Sequence, residues 1–123
     1  MISILVAYDE KILRDFLITM LEEEGCQVFT ASSVEKANKL IRKNDFDLIL
    51  TDIRMGRSSG VDVLGLALNA LPDTPVVIMR TYASAETAVT VINKAAETLN
   101  LSFRSMKYGI KKHKLRYNSK NDE

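Results

Sequence analysis

Phe46-Asp47-Leu48-Ile49-Leu50-Thr51-Asp52-Ile53-Arg54-Met55-Gly56-Arg57-Ser58-Ser59-Gly60 reads as a buried strand followed by the loop that leaves it. Leu48, Ile49 and Leu50 form a continuous apolar run, which suits a central strand covered on both faces better than a half-exposed one. Asp52 arrives where that run stops, and Gly56, Ser58, Ser59 and Gly60 mark the loop beyond it. Open α/β sheets place their chemistry at such carboxyl-terminal strand ends. Taken alone, Asp52 is explained equally well as the opener of a turn; the other strand ends shift the balance.

Upstream, Ile2 to Ala7 is β-branched and apolar and ends at Tyr8-Asp9-Glu10, a first buried strand finishing in acid. Between Lys11 and Glu24 the residues Ile12, Leu13, Phe16, Leu17, Met20 and Leu21 recur at helical spacing, and Gly25 stops the helix as a C-terminal cap does. Cys26 to Ala31 is a second strand, and Ser32 or Ser33 caps a helix over Val34 to Lys43, with Glu35 in its first turn.

Downstream, a third helix near Val61 to Leu71 carries Val61, Leu64, Leu68 and Leu71 on one face and ends at Pro72-Asp73-Thr74-Pro75. Val76 to Met79 is a fourth buried strand running into Arg80-Thr81, and Ser84 caps a helix whose apolar face holds Ala88, Val89 and Ile92. Thr98 to Phe103 alternates Leu99, Leu101 and Phe103 with polar residues, as an edge strand would. A basic last helix carries Met106 and Ile110, and Asn118 to Glu123 frays.

Five strands thus alternate with five helices over short connections. The expectation is an α/β fold of flavodoxin-like (βα)5 type, a five-stranded parallel sheet in strand order 2-1-3-4-5 with right-handed crossovers. Residues 1–117 form one domain and residues 118–123 a disordered tail; 123 residues hold a proper core but not two.

Composition narrows the function. A 46% hydrophobic, 27% charged chain is an ordinary globular protein, and its apolar runs fall far short of a membrane span. No basic segment precedes an apolar one at the N-terminus, and the single Cys26 suits a reducing compartment, so a cytoplasmic location is expected. One His and one Cys cannot build a zinc site. Neither Gly-x-Gly-x-x-Gly nor a Gly-Lys-Ser/Thr phosphate loop is present.

The net charge of +1 conceals an asymmetry: residues 1–103 carry ten Lys or Arg against fourteen Asp or Glu, and residues 104–123 carry seven against two. A basic terminal helix is usually a solvated face, so direct nucleic-acid binding is not expected.

In the order 2-1-3-4-5 strands one and three are neighbours, and Asp9 and Asp52 meet at the crevice between them. Two close carboxylates repel, and a shared proton or a bound cation relieves them. Mg²⁺ suits such a pair, since it takes oxygen ligands from one or two carboxylates, a carbonyl and water and leaves room for phosphate. A carboxylate beside that metal is able to attack phosphorus. The plainer assignment makes Asp9 a helix cap and Asp52 a turn residue.

Val6-Ala7-Tyr8-Asp9-Glu10, then Leu48 to Met55 with Ser59-Gly60, then Pro75 to Met79, and Ser84-Ala85-Glu86-Thr87-Ala88-Val89 together resemble the receiver domain of bacterial two-component response regulators, in particular receivers attached to enhancer-binding transcriptional activators. The likeness is close from residue 1 to about Lys94 and loose beyond. It implies a phosphorelay protein in which Asp52 is the phosphoacceptor, Asp9 binds Mg²⁺ directly, the Arg54 backbone carbonyl supplies another ligand and Glu10 belongs to the acidic cluster. A histidine kinase is the implied donor, and the chain's own catalysis extends at most to its aspartyl phosphorylation. Helix four, strand five and helix five would form the face that meets a second copy or an output domain.

Departures from the family pattern stand beside the matches. Tyr8 takes the place of a second acid that holds the metal through water, which implies lowered metal affinity. Gly56 replaces a Pro. Arg80 stands where a hydroxyl residue is usual, with Thr81, the candidate switch hydroxyl, one place later, and a one-residue slip reverses side-chain facing. The strand-five Lys is missing, Leu101 or Ser102 occupying its position. Arg80 compensates as a bidentate phosphoryl contact, pairs permanently with Asp52, or faces solvent. The alternative function is accordingly a non-phosphorylated pseudo-receiver acting as a protein interaction module.

Overall fold

The structure, a computed structural model, describes residues 1–55, 58–79 and 85–100. Four strands, β1 (Ser3–Ala7), β2 (Gln27–Ala31), β3 (Leu48–Asp52) and β6 (Val76–Met79), form one parallel sheet in the order β2-β1-β3-β6. Helices α1 (Lys11–Glu23), α2 (Val34–Lys43), α3 (Gly60–Ala70) and α4 (Ala85–Leu99) connect or follow them. This is the doubly wound, flavodoxin-like arrangement. Its centre is β1 and β3, paired with Ile4 opposite Leu48 and Ala7 opposite Thr51.

Successive side chains of a strand point to opposite faces, and both central strands are apolar on each. Ile4, Val6, Tyr8, Leu48 and Leu50 face one cluster, which α1 closes with Leu13, Leu17 and Leu21 and α4 with Ala88, Val91, Ile92 and Ala95. Leu5, Ala7 and Ile49 face the other, closed by Ala37 and Ile41 of α2 and by Val63 and Ala67 of α3. Each fully buried Leu or Ile stabilises the fold by about 1.5–3 kcal/mol relative to its exposed state.

The local signals act as their chemistry requires. Glu10, rather than Asp9, is the N-cap of α1, its side chain accepting from the Leu13 amide at 3.1 Å. Gly25 has φ +85°, so it supplies the left-handed residue that ends this helix. Ser33 caps α2 by accepting from the Lys36 amide. The lone Cys26 is buried.

Four expectations change. Thr98 and Leu99 close α4 instead of opening a fifth strand, and Asn100 follows at φ +56°. Leu99 also continues the helical series Ala88, Ile92, Ala95, Ala96, and its packing against α1's cluster settles the choice of period. The rest of that segment and the last helix lie outside the described residues, so the sheet is described to its fourth strand. In α3, Val63 and Ala67 are buried whereas Val61 and Leu68 are 60% and 57% exposed. This helix is apolar on most sides, and the sheet takes the Val63–Ala67 side. Ile12 points outward from α1, and β6, expected to be buried, is only half-buried, as the outermost strand among the described residues.

Candidate functional site at the β1 and β3 strand ends

Parallel neighbours in register end at the same rim. Ala7 lies opposite Thr51, so Tyr8 runs level with Asp52 and Asp9 follows one residue further out, on strands about 4.8 Å apart. Asp52 is the last residue of β3, opposite Met79 of β6, and is only 8% exposed. Asp9 and Glu10 are exposed. The rim therefore combines a nearly buried carboxylate with solvent-facing ones.

The chain leaving Asp52 is anchored. The Arg54 amide donates to Asp52 Oδ1 at 3.3 Å, the Ile53 amide donates to the Met79 carbonyl at 3.0 Å, and Thr51 Oγ1 donates to the Asp52 carbonyl at 3.1 Å. Beyond it, β4 (Arg54–Met55) and β5 (Ser58–Ser59) pair as a short antiparallel hairpin, Arg54 opposite Ser59, where only a loop was expected. Its sequence signal is the two-residue link Gly56-Arg57. The hairpin keeps the Arg54 backbone beside Asp52.

On the β1 side, the Tyr8 amide donates to the Ala31 carbonyl at 3.1 Å and Arg14 Nη1 donates to the Tyr8 carbonyl at 2.7 Å, so α1 ties down the end of β1. Lys11 is engaged with Asp15 at 2.7 Å, and one Glu10 oxygen serves the helix cap. The Tyr8 side chain is wholly buried, and among the described residues its hydroxyl has no hydrogen-bond partner. Burial first, and the negative charge of Asp52 second, push its ionisation well above the usual phenol range. Tyr8 is thus a neutral donor where a metal-holding acid would carry charge.

Of the expected site residues, Asp9, Glu10, Asp52 and Arg54 come to this rim; Arg80 and Thr81 lie outside the described residues. The donors present are hard oxygens: the Asp52 and Asp9 carboxylates and backbone carbonyls. They fit Mg²⁺, which asks for no more than one or two carboxylates and keeps several waters. Among the described residues no three His, Cys, Asp or Glu side chains converge as a group that could hold a metal. No helix among them is long and apolar enough to cross a membrane.

The response regulator receiver domain model matches residues 4–99. The alginate biosynthesis regulator AlgB of Pseudomonas syringae pv. tomato is 38% identical over 93 residues, 76% of this chain and 20% of that protein. The transcriptional regulator ZraR of Escherichia coli is 36% identical over 95 residues, 77% of this chain and 22% of that protein. The chain thus spans about a fifth of the length of these relatives. Among solved structures, the NtrX receiver domain of Brucella abortus superposes with TM-score 0.67 at 26% identity, over 80% of this chain and 99% of that one. With its strand order, its acidic rim and these likenesses together, the chain belongs to the response regulator receiver domain family.

Proposed function

We propose that this domain is a phosphorelay receiver that takes a phosphoryl group on Asp52 from a histidine kinase. One observation carries the reading: Asp52 ends the central buried strand, nearly enclosed, and its neighbour strand delivers Asp9 to the same rim. A carboxylate fixed there attacks phosphorus without first having to be ordered. The Asp52 oxygen bonds to phosphorus, the P–N bond of phosphohistidine breaks, and the imidazole nitrogen keeps the electron pair and takes a proton from solvent.

Asp9, Asp52 and the Arg54 carbonyl would hold Mg²⁺, which when bound offsets charge on the transferred group. The Arg54 amide at Asp52 Oδ1 orients the acceptor carboxylate. Arg80 and Thr81 are the candidates for contacting the phosphoryl group, and Glu10 adds negative charge at the rim. The proposed receiver extends over residues 1–117 and works in the cytoplasm, and α4 contributes to the face it offers a second copy or an output domain; the remainder of that expected face, beyond residue 100, lies outside the described residues. Likeness to the TrrA structure of Thermotoga maritima, solved with Mg²⁺ and BeF at 25% identity and TM-score 0.66 over 80% of this chain and 99% of that one, supports the metal assignment.

A second reading, the non-phosphorylated interaction module, is favoured by Tyr8, which puts a neutral phenol beside Asp52. Incubation with acetyl phosphate, with and without Mg²⁺, read by intact mass, separates them. The receiver reading expects one added phosphoryl group, dependent on Mg²⁺ and absent from Asp52→Ala. An unchanged mass with Mg²⁺ present would favour the interaction module.

A further inference from the structure

The hydroxyl of Tyr8 is the one buried side-chain polar atom among the described residues that has no partner. Leaving such a group unsatisfied costs roughly 1–3 kcal/mol, so a tyrosine kept here in place of phenylalanine calls for an explanation. Its position offers one. Tyr8 continues the alternation Ile4, Val6, Tyr8 on one face of β1, and Asp52 continues Leu48, Leu50 on the same face of the paired strand. The two side chains are same-face neighbours across adjacent strands, both enclosed, at 0% and 8% exposure. They are not hydrogen-bonded to each other in this structure.

We infer that Tyr8 is a positioning residue whose hydroxyl donates to the tetrahedral anion carried by Asp52, finding there the acceptor it otherwise lacks. The inference rests on the reading that Asp52 accepts a phosphoryl group. A carboxylate offers its oxygens at the strand end only; a phosphoryl group on it adds three strong acceptor oxygens further out. A hydroxyl enclosed with that group and already stripped of water donates to an anion at no further desolvation cost, and bonds to charged acceptors are the stronger kind. The phenol supplies a donor without a charge, at a site from which the family's strand-five Lys is missing.

The test uses Tyr8→Phe in the full chain, which removes one oxygen and keeps the ring. Beryllofluoride with Mg²⁺ mimics the phosphoryl group, and its affinity is measured alongside Mg²⁺ affinity without the anion and the thermal midpoint of the free protein. The expected result is beryllofluoride binding weakened about tenfold or more, Mg²⁺ binding alone unchanged, and a free-protein midpoint equal to or above wild type. A merely structural tyrosine would lower the midpoint and leave the anion's affinity alone. Equal beryllofluoride binding in wild type and Tyr8→Phe overturns this inference and leaves Asp52 as acceptor intact. Failure of wild type itself to take up beryllofluoride or phosphate overturns both.

Discussion

Leu50→Ala and Leu68→Ala make the same chemical change at two places that the structure separates sharply. Leu50 sits mid-strand in β3, two residues before Asp52 on the same face, at 0% exposure within the cluster closed by α1 and α4. Truncation there removes a fully packed side chain from between a strand and two helices that cannot collapse onto the gap, which costs about 3–5 kcal/mol. Leu68 lies on α3 at 57% exposure, and Ala is the better helix former, so its truncation stays within about 0.5 kcal/mol. With an m-value of about 1–3 kcal/mol/M in urea, the Leu50 change lowers the unfolding midpoint by at least about 1 M and the Leu68 change leaves it nearly in place. The chain has no Trp, so far-UV circular dichroism is the appropriate readout. Equal midpoint losses for the two variants would refute the orientation assigned to α3 and the two-sided burial of β3.

Other outcomes follow from the same geometry. Glu10→Ala removes the acceptor for the Leu13 amide and lowers stability by about 1 kcal/mol in urea melts, with Glu10→Gln losing less. The Tyr8 hydroxyl and the Cys26 thiol are both held protonated by the fold: burial raises each, helped at Cys26 by Glu24 and Asp47 and at Tyr8 by Asp52. The folded state then binds these protons more tightly than the unfolded chain, so their contribution is fully present below about pH 8.5 and is lost as pH rises through the raised values. Stability measured by denaturant titration should therefore decline into the alkaline range, Tyr8→Phe flattening the part above about pH 10; a rise there would contradict the sign. Gly25→Ala forces a left-handed conformation at φ +85° into a residue that resists it and costs about 1 kcal/mol by thermal melt, although nothing crowds the added methyl.

How much of this was legible in the sequence depends on how many competing patterns each segment admits. The run Leu48 to Leu50, the helix Val34 to Lys43 and the strand Val76 to Met79 admit one reading each, and the structure has them where their patterns end. The third helix is apolar at Val61, Val63, Leu64, Leu66, Ala67, Leu68 and Leu71, so several stripes fit helical spacing and only the sheet selects among them. Leu99 belongs both to an alternating run and to the helical series from Ala88, and tertiary packing resolves the overlap. At the site, Asp9 and Asp52 were readable because strand order brings adjacent strand ends together. The enclosure of Tyr8 was not: a tyrosine at a strand end snorkels or buries according to what α1 and α4 place over it.

Everything proposed for the rim depends on Asp52 being the acceptor. The most direct measurement is peptide mapping of the protein after acetyl phosphate with Mg²⁺ and borohydride reduction, which converts an aspartyl phosphate to homoserine at the acceptor position. The converted residue is expected at position 52, and conversion at any other carboxylate, or at none, rules Asp52 out as the acceptor.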